Sequence, residues 1–291
     1  MSRAALEQIL DHIRGEPSRT WSIIITFYGD AIVPRGGCVW LGTLLAFFHA
    51  LGISDGVVRT AMSRLASDGW LERHRVGRNS FYRLADKGKE TFRQAAERIY
   101  RPHPPRWRGH FELLLAGAED AADRERLRTL LGDARFGAPM PGLWIAPAGF
   151  PIPEGASGLL RLHAGGDRAT NRTLAARSWP LEATGDAYHR FIAAFEPLRT
   201  AIDAGKRLND LDALVARVLL VHEYRRIVLR APILPAEILP EDWPGAAARR
   251  LCAEIYGHVL PGSERWLDEN ATDEHGAKLL PSKEIHRRFK R

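Results

Sequence analysis

The segment from Ser54 to Leu84 constrains the fold most strongly, because two different hydrophobic periods follow one another in it. Apolar residues first recur at helical spacing, which predicts a helix with Ser54 at its N-cap position. After Gly69 the apolar residues fall in two short extended runs around a turn at Gly77, which predicts an antiparallel hairpin. The predicted helix has an apolar stripe of Val57, Val58, Ala61, Met62 and Leu65, and a polar face of Arg59, Thr60, Ser63 and Arg64.

A second apolar helix is predicted just before this segment, from Trp40 to Leu51, with Gly52 where a C-terminal cap would end it. Two helices joined through Gly52 and Ile53 predict a helix-turn-helix, and the hairpin after them would be its wing. The polar face of the second helix is then expected to contact base edges in the major groove of DNA.

The predicted hairpin is strongly basic, since Leu71–Arg83 holds four arginines and one histidine against the single acid Glu72. Arg73, Arg75 and Arg78 are the residues we expect at the DNA backbone or in the minor groove. A solvated hairpin surface is the alternative interpretation for an isolated charged hairpin. Residues 1–108 carry 17 basic and 10 acidic groups, so the whole net charge of +7 belongs to them, and residues 109–291 are neutral. This distribution favours a nucleic acid partner for the first third of the chain.

The remaining bulk properties point to an ordinary intracellular protein. At 291 residues the chain is long enough for two or three domains. Its two cysteines, Cys38 and Cys252, are far apart and form no Cys-x-x-Cys pair, which fits a reducing compartment. The N-terminus has no signal-peptide pattern, and no apolar run approaches the roughly 18 residues of a membrane span. We therefore predict a cytoplasmic protein with no membrane partner.

Composition and periodicity predict an α+β multidomain fold. Residues 1–103 would form the winged helix-turn-helix with flanking helices, including one over Asp86–Tyr100 that the following prolines end. Residues 104–180 alternate short strands with one charged helix, as in half of a ferredoxin-like unit. Residues 181–275 are predicted to be helical, and 276–291 to be a basic, disordered tail.

Several motifs resemble those of the PaaX-type bacterial repressors of phenylacetic acid catabolism, and the resemblance spans nearly the whole chain. In the first domain it depends on Val58–Leu65 followed by Asp68–Leu71, and in the middle on Gly142–Ile145 with Pro147. Near the end it depends on three further motifs, of which the last is the strongest: His222–Arg226, Leu234–Glu237, and Leu239-Pro240 with Asp242–Gly245.

The resemblance implies a winged helix, a central ferredoxin-like module similar to Cas2 proteins, and a helical C-terminal domain. It also implies a homodimer that represses catabolic genes by binding a double-stranded, palindromic operator. Phenylacetyl-coenzyme A or a related acyl-coenzyme A would be the effector that releases the DNA. The family is not enzymatic, and no cofactor or metal is implied.

An effector of this kind needs basic groups for its phosphates and an apolar pocket for its acyl group. The C-terminal half offers both kinds of residue in Trp179, His189, Arg190, Tyr224, Arg225 and Arg226. The alternative is that the helix around Tyr224 packs its leucines inward while its arginines pair with neighbouring acids.

Enzymatic alternatives find weaker support in the sequence. His222 and Glu223 begin like a zinc-protease helix, but Arg226 stands where the second histidine is needed. His189, His222, Glu223 and His258 have no spacing that fixes a metal site. A Cas2-like metal nuclease would place a carboxylate at the end of the first strand, whereas Glu119 and Asp120 come later, in the loop. A metal-dependent nuclease or an acyl-coenzyme A enzyme with a DNA-binding appendage remains the alternative hypothesis.

Overall fold

The computed structural model describes residues 2–14, 20–100, 104, 106–117, 121–281 and 283–290. The chain forms two compact units, each made of separate stretches of sequence. The first unit contains residues 1–102, 189–229 and 246–291, and the second contains 103–188 and 230–245. The predicted division into consecutive domains therefore differs from the observed one, because the C-terminal helices pack with the N-terminal third.

The first unit combines helices with a small antiparallel sheet. The sheet has the order β1-β3-β2, in which β2 and β3 form a hairpin from Leu71 to Leu84 and β1 pairs with β3. The hairpin was predicted, whereas the three-residue strand β1 was not. The elements up to Tyr100 are α1 (Ser2–Arg14), α2 (Thr20–Phe27), β1 (Cys38–Trp40), α3 (Leu41–Ala50), α4 (Asp55–Ser67), β2 (Leu71–Val76), β3 (Asn79–Leu84) and α5 (Asp86–Tyr100).

Apolar spacing explains most of these helices. Phe27, Leu44 and Phe48 are fully buried, as their helical stripes predict. A single π-helical turn, Tyr28–Ile32, continues α2 and brings the carboxylate of Asp30 into the interior. The α3 helix ends at Ala50, and Gly52 two residues later has a φ of 73°, the left-handed conformation that glycine adopts without strain.

The second unit is built on a four-stranded antiparallel sheet of order β5-β6-β4-β7. One sheet face packs on α6 through Leu114, Leu127 and Leu131, and the other packs on Trp179 and Ile238. Strand β5 and helix α7 were not predicted. The elements from residue 111 onward are β4 (Phe111–Leu115), α6 (Ala121–Asp133), β5 (Gly137–Met140), β6 (Leu143–Pro147), β7 (Leu160–Ala164), α7 (Arg168–Ser178), α8 (Leu181–Asp203), α9 (Asp210–Val228) and α10 (Gly245–Asn270).

A buried set of charged residues, here called the Asp30 network, lies in the first unit. Arg217 of α9 is fully buried, and its Nε donates to Asp30 at 2.6 Å while its Nη1 donates to Glu264 at 2.5 Å. Arg35 reaches the other oxygen of Glu264 at 2.7 Å, and Arg288 reaches Asp30 at 2.7 Å. Burial alone would lower the pKa of Arg217, but the negative charges of Asp30 and Glu264 outweigh it and raise that pKa.

The prediction of a disordered C-terminal tail is wrong for the described residues 283–290. Lys283–Arg287 forms a 3-10 turn, and Ile285 and Phe289 are buried. The ring of Phe289 packs against Tyr100 and Tyr256, with centroids 5.1 and 5.2 Å away. Arg288 beside it joins the Asp30 network, so one basic residue of this segment has an internal role.

Candidate nucleic-acid interface

Helix α4 carries a continuous polar face into solvent. Its buried side holds Val58, Met62 and Leu65, each at 0% exposure. Val57, predicted on that stripe, is instead 48% exposed. The predicted contact residues lie together on the exposed side of the helix: Arg59, Thr60, Ser63 and Arg64.

Helix α4 begins where the sequence predicts, but a backbone hydrogen bond and not the side chain of Ser54 fixes its start. Ser54 occupies the N-cap position, but its side chain makes no capping hydrogen bond. The amide of Val58 donates to the carbonyl of Ser54 at 3.2 Å and begins the helical ladder. Thr60 Oγ1 donates to the carbonyl of Gly56 at 2.9 Å, which holds its side chain along the helix.

The β2–β3 hairpin presents a second exposed basic surface. Its turn consists of Gly77 and Arg78, and Gly77 has a φ of 59°, which favours glycine there. Arg73, Arg75 and Arg78 are exposed, and Arg73 Nη2 donates to Ser80 Oγ at 3.0 Å. The edge strand β2 is thus exposed and mostly polar. Leu71, Phe81 and Leu84 are buried and pack the base of the hairpin against the rest of the unit.

The exposed arginines of α4 and the hairpin lack an acidic partner among the described residues. Within the described part of the chain, no carboxylate forms an ion pair with Arg59, Arg64, Arg73, Arg75 or Arg78. The nearby Arg83 does have one, because its guanidinium binds Glu274. Five guanidinium groups without an internal carboxylate can bind phosphate oxygens or base edges.

The six residues predicted for an effector have different surroundings within their units. Trp179 lies in the core of the second unit, where its Nε1 donates to the carbonyl of Arg135 at 3.1 Å. His189 and Arg190 are exposed on α8, and Tyr224 is buried on α9. These predicted residues thus divide between the two units.

The two arginines predicted beside Tyr224 have structural partners. Arg225 Nε donates to Thr26 Oγ1 at 2.6 Å, and its Nη2 donates to Ser22 Oγ at 2.7 Å. Arg226 lies 3.4 Å from the carboxylate of Glu223. The contact of Arg226 matches the alternative interpretation, whereas Arg225 binds hydroxyl and carbonyl groups on α2.

A largely apolar pocket of about 210 Å³ lies between α2, α5 and α9 in the first unit. Among the six predicted effector residues, Arg225 is the one that lines it. Sequence reasoning missed this pocket, although Phe92, Ala96 and Ile99 recur at helical spacing along α5. Helical periodicity identifies an apolar face but does not show whether neighbouring helices fill it.

The structure offers no support for a metal centre in the ranges it describes. Those residues contain no group of three or more histidine, cysteine, aspartate or glutamate side chains placed to hold an ion. His222 is buried, and its Nδ1 lies 3.0 Å from Thr26 Oγ1. Glu119 and Asp120, considered for a nuclease, lie outside the described residues.

In the described parts of the chain, every helix is too short or too polar to cross a bilayer.

Comparison with known proteins identifies the relatives of this chain. A family model described as PaaX-like protein matches residues 19–88, which include α3, α4 and the hairpin. A second, described as PaaX-like protein C-terminal domain, matches residues 179–269. The transcriptional repressor PaaX of Escherichia coli (strain K12) is 34% identical over 98% of this chain and 94% of that protein. The chain belongs to the PaaX family.

Membership in the PaaX family confirms the resemblance inferred from the sequence motifs. The two matched segments contain Val58–Leu65, His222–Arg226 and Leu239-Pro240, whereas Gly142–Ile145 lies between them. Because the named relative is a transcriptional repressor, the family is one of regulators, and the prediction that this PaaX-family chain is not an enzyme is confirmed. A solved structure, the uncharacterized protein Rv0674 from Mycobacterium tuberculosis, is also similar. It has 27% identity and a TM-score of 0.54, and the match covers 77% of this chain and 89% of that one.

Proposed function

We propose that this protein is a dimeric transcriptional repressor that binds operator DNA through α4 and the β2–β3 hairpin. The observation that carries the proposal is the set of five exposed arginines on α4 and the hairpin, for which the described residues supply no carboxylate. Arg59, Thr60, Ser63 and Arg64 would read base edges in the major groove. Arg73, Arg75 and Arg78 would bind the phosphate backbone or the minor groove.

The first unit supports a winged helix-turn-helix assignment for this surface. Helices α3 and α4 are joined by a short turn through Gly52, and the hairpin follows α4 directly. Strand β1 adds a third strand beside the hairpin, which anchors the wing to the rest of the unit. The second helix and the wing can then contact adjacent grooves of one DNA site.

For the second unit we propose a ferredoxin-like module similar to Cas2 proteins. Its strand order, β7-β4-β6-β5, corresponds to the order 4-1-3-2 of a ferredoxin-like sheet when strands are numbered along the chain with β7 last. One departure from that fold is that α7 follows the last strand. A short 3-10 turn at Glu154–Ala156 occupies the connection where the second helix would be.

The proposed repressor acts in the cytoplasm on genes of phenylacetate-type catabolism. Two copies of the DNA-binding surface, held about one helical turn apart, would recognise a palindromic operator. Phenylacetyl-coenzyme A or a related acyl-coenzyme A would release the DNA by binding better to a conformation whose half-site spacing does not fit the operator.

Selection from a random DNA pool tests the proposal most directly. Purified protein is expected to enrich a palindrome, and fluorescence anisotropy is expected to show that phenylacetyl-coenzyme A lowers its affinity. Enrichment of no sequence would contradict the proposed DNA-binding function. A palindrome that stays bound at saturating thioester would retain the repressor and exclude this effector.

A further inference from the structure

The apolar pocket of the first unit is built from three helical stripes. Trp21 and Ile25 line it from α2, Phe92 and Ala96 from α5, and Val221 from α9. The residues in each of the first two pairs are four positions apart, so each pair lies on one face of its helix. The pocket is therefore a regular consequence of three helix faces that meet without filling the space between them.

The volume of the pocket suits a single aromatic ring with a short arm. A cavity of about 150 Å³ lined by apolar side chains holds benzene, and this pocket is about 210 Å³. The exposed residues Trp21 and Thr91 are on its wall, so it has an edge in contact with solvent. A larger group attached to the ring can remain outside.

The polar atoms on the wall favour a neutral carbonyl group as the arm. Arg225 and Thr26 supply donors, while Asp30 supplies the negative charge. The Asp30 carboxylate is already bound by Arg217, Arg288 and Tyr100. Both charged groups on the wall thus already have polar partners within the unit, which matches a thioester carbonyl better than a free carboxylate.

Trp21 connects the pocket to the DNA-binding helix. Its ring lines the pocket and also lines a separate groove with Val57, Thr60 and Arg64 of α4. Trp21 is 41% exposed, so it is not locked in place by a filled core. A ligand that displaces this ring changes the groove beside two of the proposed base-reading residues.

We propose that this pocket holds the aromatic acyl group of an acyl-coenzyme A effector, and that Trp21 transmits its occupancy to α4. This inference rests on the proposed repressor function and specifies the site of its regulation. The coenzyme portion lies outside the pocket, and the carbonyl group lies beside the polar part of the wall at Arg225 and Thr26.

Direct binding of phenylacetyl-coenzyme A, measured by calorimetry without DNA, tests the pocket. Ala96→Leu fills part of the space and is expected to weaken binding about tenfold. Gln94→Leu changes an exposed residue of the same helix and serves as the matched control, with affinity expected to stay at the parent value. Free phenylacetate is expected to bind much more weakly than the thioester.

Hydrogen exchange on the parent protein tests the pocket without a variant. The test therefore holds even if Ala96→Leu folds poorly. Saturating phenylacetyl-coenzyme A is expected to slow exchange of amides in 92–99 of α5 and 21–27 of α2. Equal affinity of Ala96→Leu and the parent, absence of this protection, or no binding to the parent overturns the pocket assignment. None of these results depends on operator binding, so they are distinct from failure of the repressor function.

Trp21→Ala tests the connection to DNA. At saturating thioester, this variant is expected to bind phenylacetyl-coenzyme A and to hold the selected operator, whereas the parent releases it. If Trp21→Ala releases the operator as the parent does, transmission through Trp21 is wrong.

Discussion

Five arginines of α4 and the β2–β3 hairpin are exposed without a carboxylate partner in the described chain, whereas those of the Asp30 network are buried and bind several acceptors. Arg59 and Arg78 illustrate the first kind, and Arg217 and Arg288 the second. The side chain is the same, but the cost of removing it differs. An exposed guanidinium is available to a partner, whereas a buried one neutralises charges that cannot reach water.

The largest effect on folding is expected from Arg217→Met, which keeps an unbranched side chain and removes the charge. Asp30 and Glu264 would then lose a buried partner, with an expected loss of about 3 to 5 kcal/mol in unfolding free energy. Denaturant unfolding measures this difference. Arg265→Met, on the exposed surface of α10, is the control and should change stability by less than about 1 kcal/mol. A tolerated Arg217→Met would remove the contrast between the two regions.

Phe289→Ala sharpens the contrast by testing whether the C-terminal segment belongs to the buried region. Phe289 packs against Tyr100, Tyr224 and Tyr256, so its truncation is expected to cost about 3 kcal/mol. Thermal unfolding followed by circular dichroism gives the measurement. Leu280→Ala is the control from the same segment, since Leu280 is 79% exposed. Equal stability of both variants would mean that this segment does not support the fold in solution.

Arg59→Ala tests the exposed region and is expected to leave stability unchanged. Loss of a base contact should reduce discrimination at particular operator positions by about 1 to 3 kcal/mol. Titrations of the operator and of single-base variants by anisotropy measure this loss.

Arg78→Ala is the comparison within the same surface. A phosphate contact at the hairpin tip carries no sequence information, so this variant should weaken operator and random DNA alike. Its binding should also depend less steeply on salt, with a slope lower by about 1. Parental binding by both variants would show that this surface is not the DNA-binding site.

The sequence predicted the exposed region better than the buried one, for a physical reason. The bounds of α5 and the hairpin follow from local periodicity, and the polar face of α4 is visible in thirteen consecutive residues. The partners of Arg288 and Arg217 are 258 and 187 positions away, which no local pattern reveals. Short strands such as β1 and β5 also escaped prediction, because three or four residues carry too little alternation.

The predicted effector residues were selected without knowledge of such distant partners. Tyr224 and Arg225 were selected for their chemistry, yet Tyr224 packs against Phe191 and Arg225 binds Ser22 and Thr26. The pocket that Arg225 lines needs α2, α5 and α9 together. Three separated segments meet there, and only their packing shows which face is left unfilled.

The smallest expected effect concerns Arg83. This hairpin arginine is half-exposed, but it binds a carboxylate as the buried arginines of the Asp30 network do. Its guanidinium binds Glu274, and Cys38 Sγ donates to the same carboxylate at 2.7 Å. The hydrogen bond from Cys38, with that from Arg83, lowers the pKa of Glu274 to about 2 from its ordinary 4.5. A carboxyl group with a lowered pKa stabilises the fold above pH 4.5, and this stabilisation is lost as the pH falls toward 2.

Glu274→Gln should therefore be less stable than the parent at neutral pH and approach it below pH 4.5. The difference at neutral pH is expected to stay under about 1 kcal/mol, because the Arg83 side chain is 39% exposed. Urea unfolding at pH 7 and near pH 3 measures both values. A difference independent of pH would mean that the Glu274 carboxylate is not bound to Arg83 and Cys38 in solution. Arg83 would then join the exposed arginines of the hairpin as a candidate for DNA contact.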